Sequence, residues 1–165
     1  MPVPTGVVIR AAGVADAELV AHLQLECWDD AYTGLVPQGV LDDGRRKIVE
    51  RVELWRALLS DGAAVLVAET ADGPVGFVRA DPGRDDDIDI ELELIALYVR
   101  AAWWGTGLGH GLFEEAVGDR AAYLWVVEGN ERALGFYERQ GFRLDGSAKE
   151  EPQGFHLRMV RPGRT

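Results

Sequence analysis

The stretch Leu92–Val99, "LELIALYV", and the residues after it, Arg100–Gly111, "RAAWWGTGLGHG", decide how this chain is built. Ile88, Ile90, Leu92 and Leu94 alternate with Asp89, Glu91 and Glu93, and then the apolar residues move to the odd positions Ile95, Leu97 and Val99. Side chains on a strand alternate faces, so one extra residue must be absorbed if the same face stays buried. The pattern predicts a strand over 88–99 with a β-bulge near Leu94–Ala96. A second half apolar on both faces would need no bulge. Glycines follow at Gly105, Gly107, Gly109 and Gly111, with Leu108, Leu112, Phe113, Ala116 and Val117 at helical spacing. Glycine before a helix lets backbone approach a phosphate, which the free amides and dipole of a helix N-terminus favour.

Working outward, "VVIR" (Val7–Arg10) reads as an opening strand, and Asp16 as the cap of a helix carrying Leu19, Val20, Leu23 and Cys27. Trp28 and Tyr32 lie four apart and share one face near its end. "TGLVPQG" breaks the pattern, and a second helix is expected from Arg45 to Leu59. "AVLVAE" and "PVGFVRA" flank "TADG" as an antiparallel hairpin, and "DPGRDDD" reads as a solvated acidic turn. "YLWVV" (Tyr123–Val127) is a further strand, so strand, glycine turn, helix and strand make a βαβ unit. "NERALGFYERQG" is a short helix stopped by Gly141, and "FRLDG" and "GFHLRMV" close the chain as an antiparallel pair.

Composition bounds the function. A chain of 165 residues is expected to fold as one domain over 1–165 and to bury about 70% of its unfolded surface. No run approaches the roughly 20 apolar residues of a membrane span, and the N-terminus lacks a secretory pattern. Cys27 is the single cysteine, and His22, His110 and His156 are scattered, so neither a disulfide framework nor a metal site is expected. These features suit the cytoplasm. With 17 Lys+Arg against 28 Asp+Glu the net charge is −11, which repels nucleic acid. That field attracts a cationic amine; it equally serves solubility.

Three phosphate loops compete for the glycines. A P-loop needs Gly-Lys-Ser/Thr, and no lysine occurs from Arg51 to Ala148. A dinucleotide fingerprint needs glycine at its sixth position, which is His110 counted from Gly105 and Leu112 counted from Gly107. The third candidate is Trp104-Gly105-Thr106-Gly107-Leu108-Gly109, directly after a bulged strand. This segment resembles the pyrophosphate loop, Gln/Arg-x-x-Gly-x-Gly/Ala, of the GNAT superfamily of acyl-CoA-dependent N-acyltransferases, with Trp104 in place of the usual polar first residue. "NERALGFYERQGF" is similar to that family's Asn-x-x-Ala-x-x-Phe-Tyr-x-x-x-Gly-Phe, matched at Asn130, Ala133, Phe136, Tyr137, Gly141 and Phe142. "ELIALYV" resembles its Glu-Leu-x-x-Leu-Tyr-Val, and "WDDAYTGLVP" its substrate-side helix and loop.

The resemblance implies an α/β (α+β) fold: a mixed, mostly antiparallel central sheet flanked by helices, with a bulged strand leading into the glycine loop. It implies an N-acetyltransferase that moves an acetyl group from acetyl-CoA to a primary amine by direct attack, without a metal. Backbone N–H groups of Gly105, Thr106, Gly107, Leu108, Gly109 and His110 would hold the pyrophosphate. Leu97, Tyr98 and Val99 would flank the pantetheine arm and Asn130 would contact it. An ammonium must lose a proton before it attacks, and Glu93 or Glu91 is the expected base, directly or through a water. Tyr137 matches the family's general acid, and Trp28 and Tyr32 would wall the pocket of a small-molecule or peptide amine. Such proteins often form homodimers, although no surface in this sequence advertises one. The alternative is a protein of the same fold that binds acyl-CoA without turnover, as a sensor or interaction domain. The presence of both glutamates and Tyr137 favours the enzyme.

Overall fold

The structure is a computed structural model and describes residues 2–164. Its strands are β1 (Val8–Ala11), β2 (Val65–Thr70), β3 (Gly73–Pro82), β4 (Leu92–Val99), β5 (Ala122–Val127), β6 (Arg143–Glu151) and β7 (Gly154–Arg161). They form one sheet in the order β1-β2-β3-β4-β5-β7-β6. β4 and β5 run parallel, and the other neighbours pair antiparallel. This is the mixed, mostly antiparallel sheet expected.

Helices cover both faces. α1 (Ala17–Tyr32) and α3 (Ile48–Ser60) press Val20, Leu23, Trp55 and Leu59 against Val65, Val67 and Phe77. On the other face α4 (Leu108–Ala116) packs Leu108, Leu112 and Phe113 against Val78, Leu94 and Leu124, and Tyr137 of α5 (Glu131–Arg139) joins them. Strand alternation assigns the layers: Val65 and Val67 of β2 face α1, while Leu66 and Ala68 face α4.

The bulge stands where the phase shift requires it. β3 pairs Arg79 with Ala96 and Ala80 with Leu94, so Ile95 has no opposite residue. Leu92 and Leu94 before it, and Leu97 and Val99 after it, all pack with the α4 layer, while Ala96 and Tyr98 face α1. Without the extra residue, Leu97 and Val99 would have turned to the opposite layer.

Four expectations are corrected. The strand over 88–99 begins at Leu92, because the preceding residues fold into a loop closed by Gly83 N–H donating to the Glu91 carbonyl at 2.7 Å. That loop is no free acidic turn, since Asp85 and Asp87 both bind Arg158. The helix expected from about Arg45 to Leu59 is α3, which begins at Ile48, and an unexpected helix, α2 (Gln38–Arg46), precedes it and meets it at Lys47. Polar residues hide the period of α2, which buries Leu41 and ties Asp42 to Arg45 and Asp43 to Lys47. Asp16 does precede α1, yet its carboxylate takes the Gly13 N–H at 2.8 Å and pairs with Arg10 instead of capping the helix.

Gly76 tests the packing behind β4. It pairs with Val99, and a Cβ there would lie 2.9 Å from the Tyr98 carbonyl oxygen and 3.3 Å from Leu112. Gly76→Ala is expected to destabilise by about 1–2 kcal/mol, lowering the thermal midpoint by roughly 2–8 °C.

Candidate active site

β4 and β5 pair at Glu93 with Tyr123 and at Leu94 with Leu124. Beyond Leu94 the bulge bends β4 away and the two strands part towards their C-terminal ends. Divergence at the carboxyl ends of neighbouring strands is where open sheets build ligand sites. Here it opens a cavity of about 350 Å³. Its walls are the second half of β4 (Leu94–Val99), Trp125 and Val126 of β5, Cys27 and Tyr32 of α1, the glycine loop, and one face of α5.

Gly105 and Gly107 have φ of 72° and 93°, the left-handed region that glycine alone enters without strain. They turn the chain into α4, whose first turn supplies Gly109 and His110 to the cavity. Among the described residues, no protein acceptor meets the N–H groups of Gly105, Thr106, Gly107, Gly109 or His110. The Thr106 hydroxyl donates to the Trp103 carbonyl at 2.6 Å and shapes the turn, and the Leu108 side chain is buried in the core. Thr106 thus offers only its backbone N–H, and the Leu108 N–H donates to the Thr106 hydroxyl at 3.4 Å. A run of unpaired amides at a helix N-terminus is an anion cradle.

Trp104 has its own task. Its indole N–H donates to the Val99 carbonyl at 2.8 Å, at the last residue of β4. The guanidinium of Arg132 lies 3.8 Å from the centre of its ring.

Tyr137 is 9% exposed, lines the cavity, and makes no hydrogen bond to the described residues. Burial pushes its pKa well above the ordinary tyrosine value, so its hydroxyl keeps its proton at neutral pH. Across the cavity the hydroxyls of Tyr32 and Tyr98 lie 3.0 Å apart. Burial raises both of their pKa values as well. Asn130 lines the cavity and caps α5, its side-chain oxygen accepting the Ala133 N–H at 3.3 Å. His110 Nδ1 lies 3.1 Å from Gln140 Oε1, which fixes the far end of α5 against the glycine loop.

Three expected site residues stand elsewhere. Glu93 is 1% exposed, and its carboxylate is taken by Arg84 (3.0 Å from Nε, 2.5 Å from Nη2), the Arg84 backbone N–H and the Tyr123 hydroxyl. It sits where β4 and β5 are still paired, so no gap opens beside it. Burial disfavours its charge, but Arg84 outweighs that and holds its pKa below the usual glutamate value. Glu91 precedes β4 and is exposed beside the 83–91 loop. Neither glutamate reaches the cavity. Trp28 also lies outside the lining, packed on Tyr32 and covered by the Arg51 guanidinium at 4.6 Å.

Cys27, Trp125, Arg132, Arg139 and Gln140 line the cavity without having been picked out in the sequence. Helical spacing was the available signal for two of them: Gln140 lies three residues from Tyr137 and Arg132 four from Phe136, and residues three and four apart share a face. Among the described residues, no aspartate or glutamate occurs in the lining; Arg132, Arg139 and His110 are its bases. In a chain of net charge −11 the cavity therefore inverts the sign of the surface.

Comparison with known proteins agrees with this architecture. The family model for the Acetyltransferase (GNAT) domain matches residues 61–144. A probable N-acetyltransferase of Mycobacterium tuberculosis is 30% identical over 149 residues, covering 87% of this chain and 83% of that protein. An uncharacterized N-acetyltransferase of Bacillus subtilis is 26% identical over 161 residues, with 93% and 90% covered. Among solved structures, the PaiA N-acetyltransferase of Thermoplasma acidophilum in complex with coenzyme A superposes with a TM-score of 0.71 at 20% identity. That superposition covers 96% of this chain and 99% of that one.

Glu93→Gln separates a structural carboxylate from a catalytic one. A folded pKa below the unfolded one means that Glu93 adds stability above about pH 4.3, which is lost as pH falls through the folded value. Arg84 is 59% exposed, so the loss at neutral pH should be about 1–2 kcal/mol, shrinking in acid. Turnover should stay within about twofold, whereas loss of a general base costs roughly 10²-fold or more. Denaturation at several pH values and steady-state rates read both.

Proposed function

The chain belongs to the GNAT acetyltransferase family, and on that premise we propose that it transfers an acetyl group from acetyl-CoA to a primary amine by direct attack inside the β4–β5 cavity. The observation that carries this reading is the set of unpaired amides at Gly105, Thr106, Gly107, Gly109 and His110, opening onto a cavity lined by Arg132 and Arg139 and, among the described residues, free of carboxylates. A pyrophosphate fits that cradle despite the chain's negative charge, because local donors outweigh a distant, screened field.

As acyl substrate, acetyl-CoA supplies an activated thioester. The loop amides would bind its pyrophosphate, and Leu97, Tyr98 and Val99 would flank the arm, with Asn130 beside it. Trp104 would have to surrender its bond to the Val99 carbonyl wherever the arm claims that oxygen. The bulge at Ile95 frees backbone there, and an N–H aimed at the thioester oxygen would stabilise the charge that develops on amine attack. Tyr137, held protonated, would donate to the departing thiolate. Tyr32 and Tyr98 would present hydroxyls to the amine, with aromatic faces around it.

With no carboxylate in the lining, the amine would give its proton to water at the cavity mouth or react as its free base. For an aliphatic amine of pKa about 10, log kcat/KM should then rise with unit slope from about pH 6 to about pH 9. An inflection from an enzyme carboxylate below that range would contradict the scheme.

Thermal unfolding with acetyl-CoA, CoA and NAD(H) added separately tests the reading itself. Acetyl-CoA at a hundred times its dissociation constant adds about 2.7 kcal/mol, a rise of roughly 5–10 °C. Gly107→Glu, which puts a side chain and a charge at φ 93°, should abolish the rise. Tyr137→Phe should keep it and lower kcat by about 10²-fold. No shift with either CoA species would sink the proposal.

A further inference from the structure

Most arginines of this protein have a carboxylate. Arg10, Arg45, Arg46, Arg56, Arg79, Arg84, Arg100, Arg158 and Arg164 each pair with one or more. Such pairing is easily met where 28 acidic residues face 17 basic ones. Arg132 lines the cavity and, among the described residues, has no carboxylate partner. Its contact is the face of Trp104, which orients the guanidinium and leaves its N–H edge free. Desolvation lowers its pKa, as expected of a cation partly withdrawn from water without a counter-ion.

Arg132 and Arg139 stand at opposite ends of α5. Arg139 lies seven residues on, roughly 10 Å along the helix, beside Gln140 and its bond to His110 of the glycine loop. Arg132 stacks on Trp104 and shares the cavity lining with Tyr137, Tyr32 and Cys27. Those residues surround the place where the amine would meet the thioester. A guanidinium there, edge free and unpaired, matches a planar carboxylate.

Resting on the acetyltransferase reading above, we propose that Arg132, braced by Trp104, is a specificity-determining residue that binds a carboxylate of the amine acceptor. The acceptor class is then an amine that also carries a carboxylate, such as an amino acid or a short peptide, in preference to a polyamine. The charge of the whole surface favours a cation, but the cavity is locally positive and decides what binds inside it.

The test begins with calorimetric binding of CoA to wild type, Arg132→Met and Arg132→Lys, followed by kinetics. Acceptors are the standard α-amino acids and glycyl dipeptides, the same compounds as carboxamides, and spermidine. Wild type should bind CoA and prefer at least one carboxylated acceptor to its carboxamide by roughly 10- to 100-fold in kcat/KM, the range for a hydrogen bond to a charged group. Arg132→Met should erase that preference through KM, with kcat and CoA affinity unchanged, and Arg132→Lys should restore part of it. A merely structural role would not discriminate acid from amide. Loss of CoA affinity in Arg132→Met would assign the cation to the cofactor and overturn the proposal. Wild-type preference for carboxamides or spermidine, or no carboxylated acceptor used at all, would overturn it too. Failure of wild type to bind CoA would instead sink the acetyltransferase reading on which it rests.

Discussion

Everything at the candidate site depends on the two-residue length of the β4–β5 pairing. Glu93 and Leu94 are joined to β5, and one residue later the bulge at Ile95 turns β4 away. Had the pairing continued, the strands would lie about 4.8 Å apart and no side chain from α1 could share a cavity with one from α5. Because it stops, the gap connects the two layers: Cys27 and Tyr32 from one face meet Phe136 and Tyr137 from the other. The bulge also keeps Leu97 and Val99 on the α4 face, so the strand that makes the opening still holds the core together.

That separation assigns the carboxylates. Glu93 lies on the paired side of the break, and its oxygens are consumed by Arg84 and Tyr123, anchoring the 83–91 loop to the sheet. Asp85 and Asp87 of the same loop extend the anchor to Arg158, and Asp85 also takes the Trp125 indole N–H at 2.9 Å. The acidic residues around β4 thus build the wall behind the cavity and leave its interior to tyrosines, tryptophans and bases. Net charge describes the surface of this protein and has the wrong sign for its interior site.

Trp104 shows how a departure from a motif can be absorbed. A large aromatic replaces the polar residue that resembling loops carry, and it spans from Val99 to Arg132. The backbone cradle beyond it depends on the φ of Gly105 and Gly107 and keeps its open amides regardless of the side chain before it.

The sequence by itself determined the elements whose signals are local. The phase shift at Ile95 located the bulge, Gly141 at φ 94° ends α5 as expected, and the glycine loop precedes α4. Such features are legible because strand and helix periods and the conformational freedom of glycine act over a few residues. α2 was not legible, since its amphipathic face is a single leucine among charges; the start of β4 was not, since Ile88 and Ile90 alternate as a strand would yet lie in a loop closed by the Glu91 carbonyl. Only the tertiary structure decided which polar residues reach the cavity. Glu93 and Tyr137 looked equally available along the chain, and the end of a two-residue ladder, set by strands 30 residues apart in sequence, put one in an ion pair and the other against open space. Periodicity specifies a face, but which face opens depends on where a neighbouring strand stops.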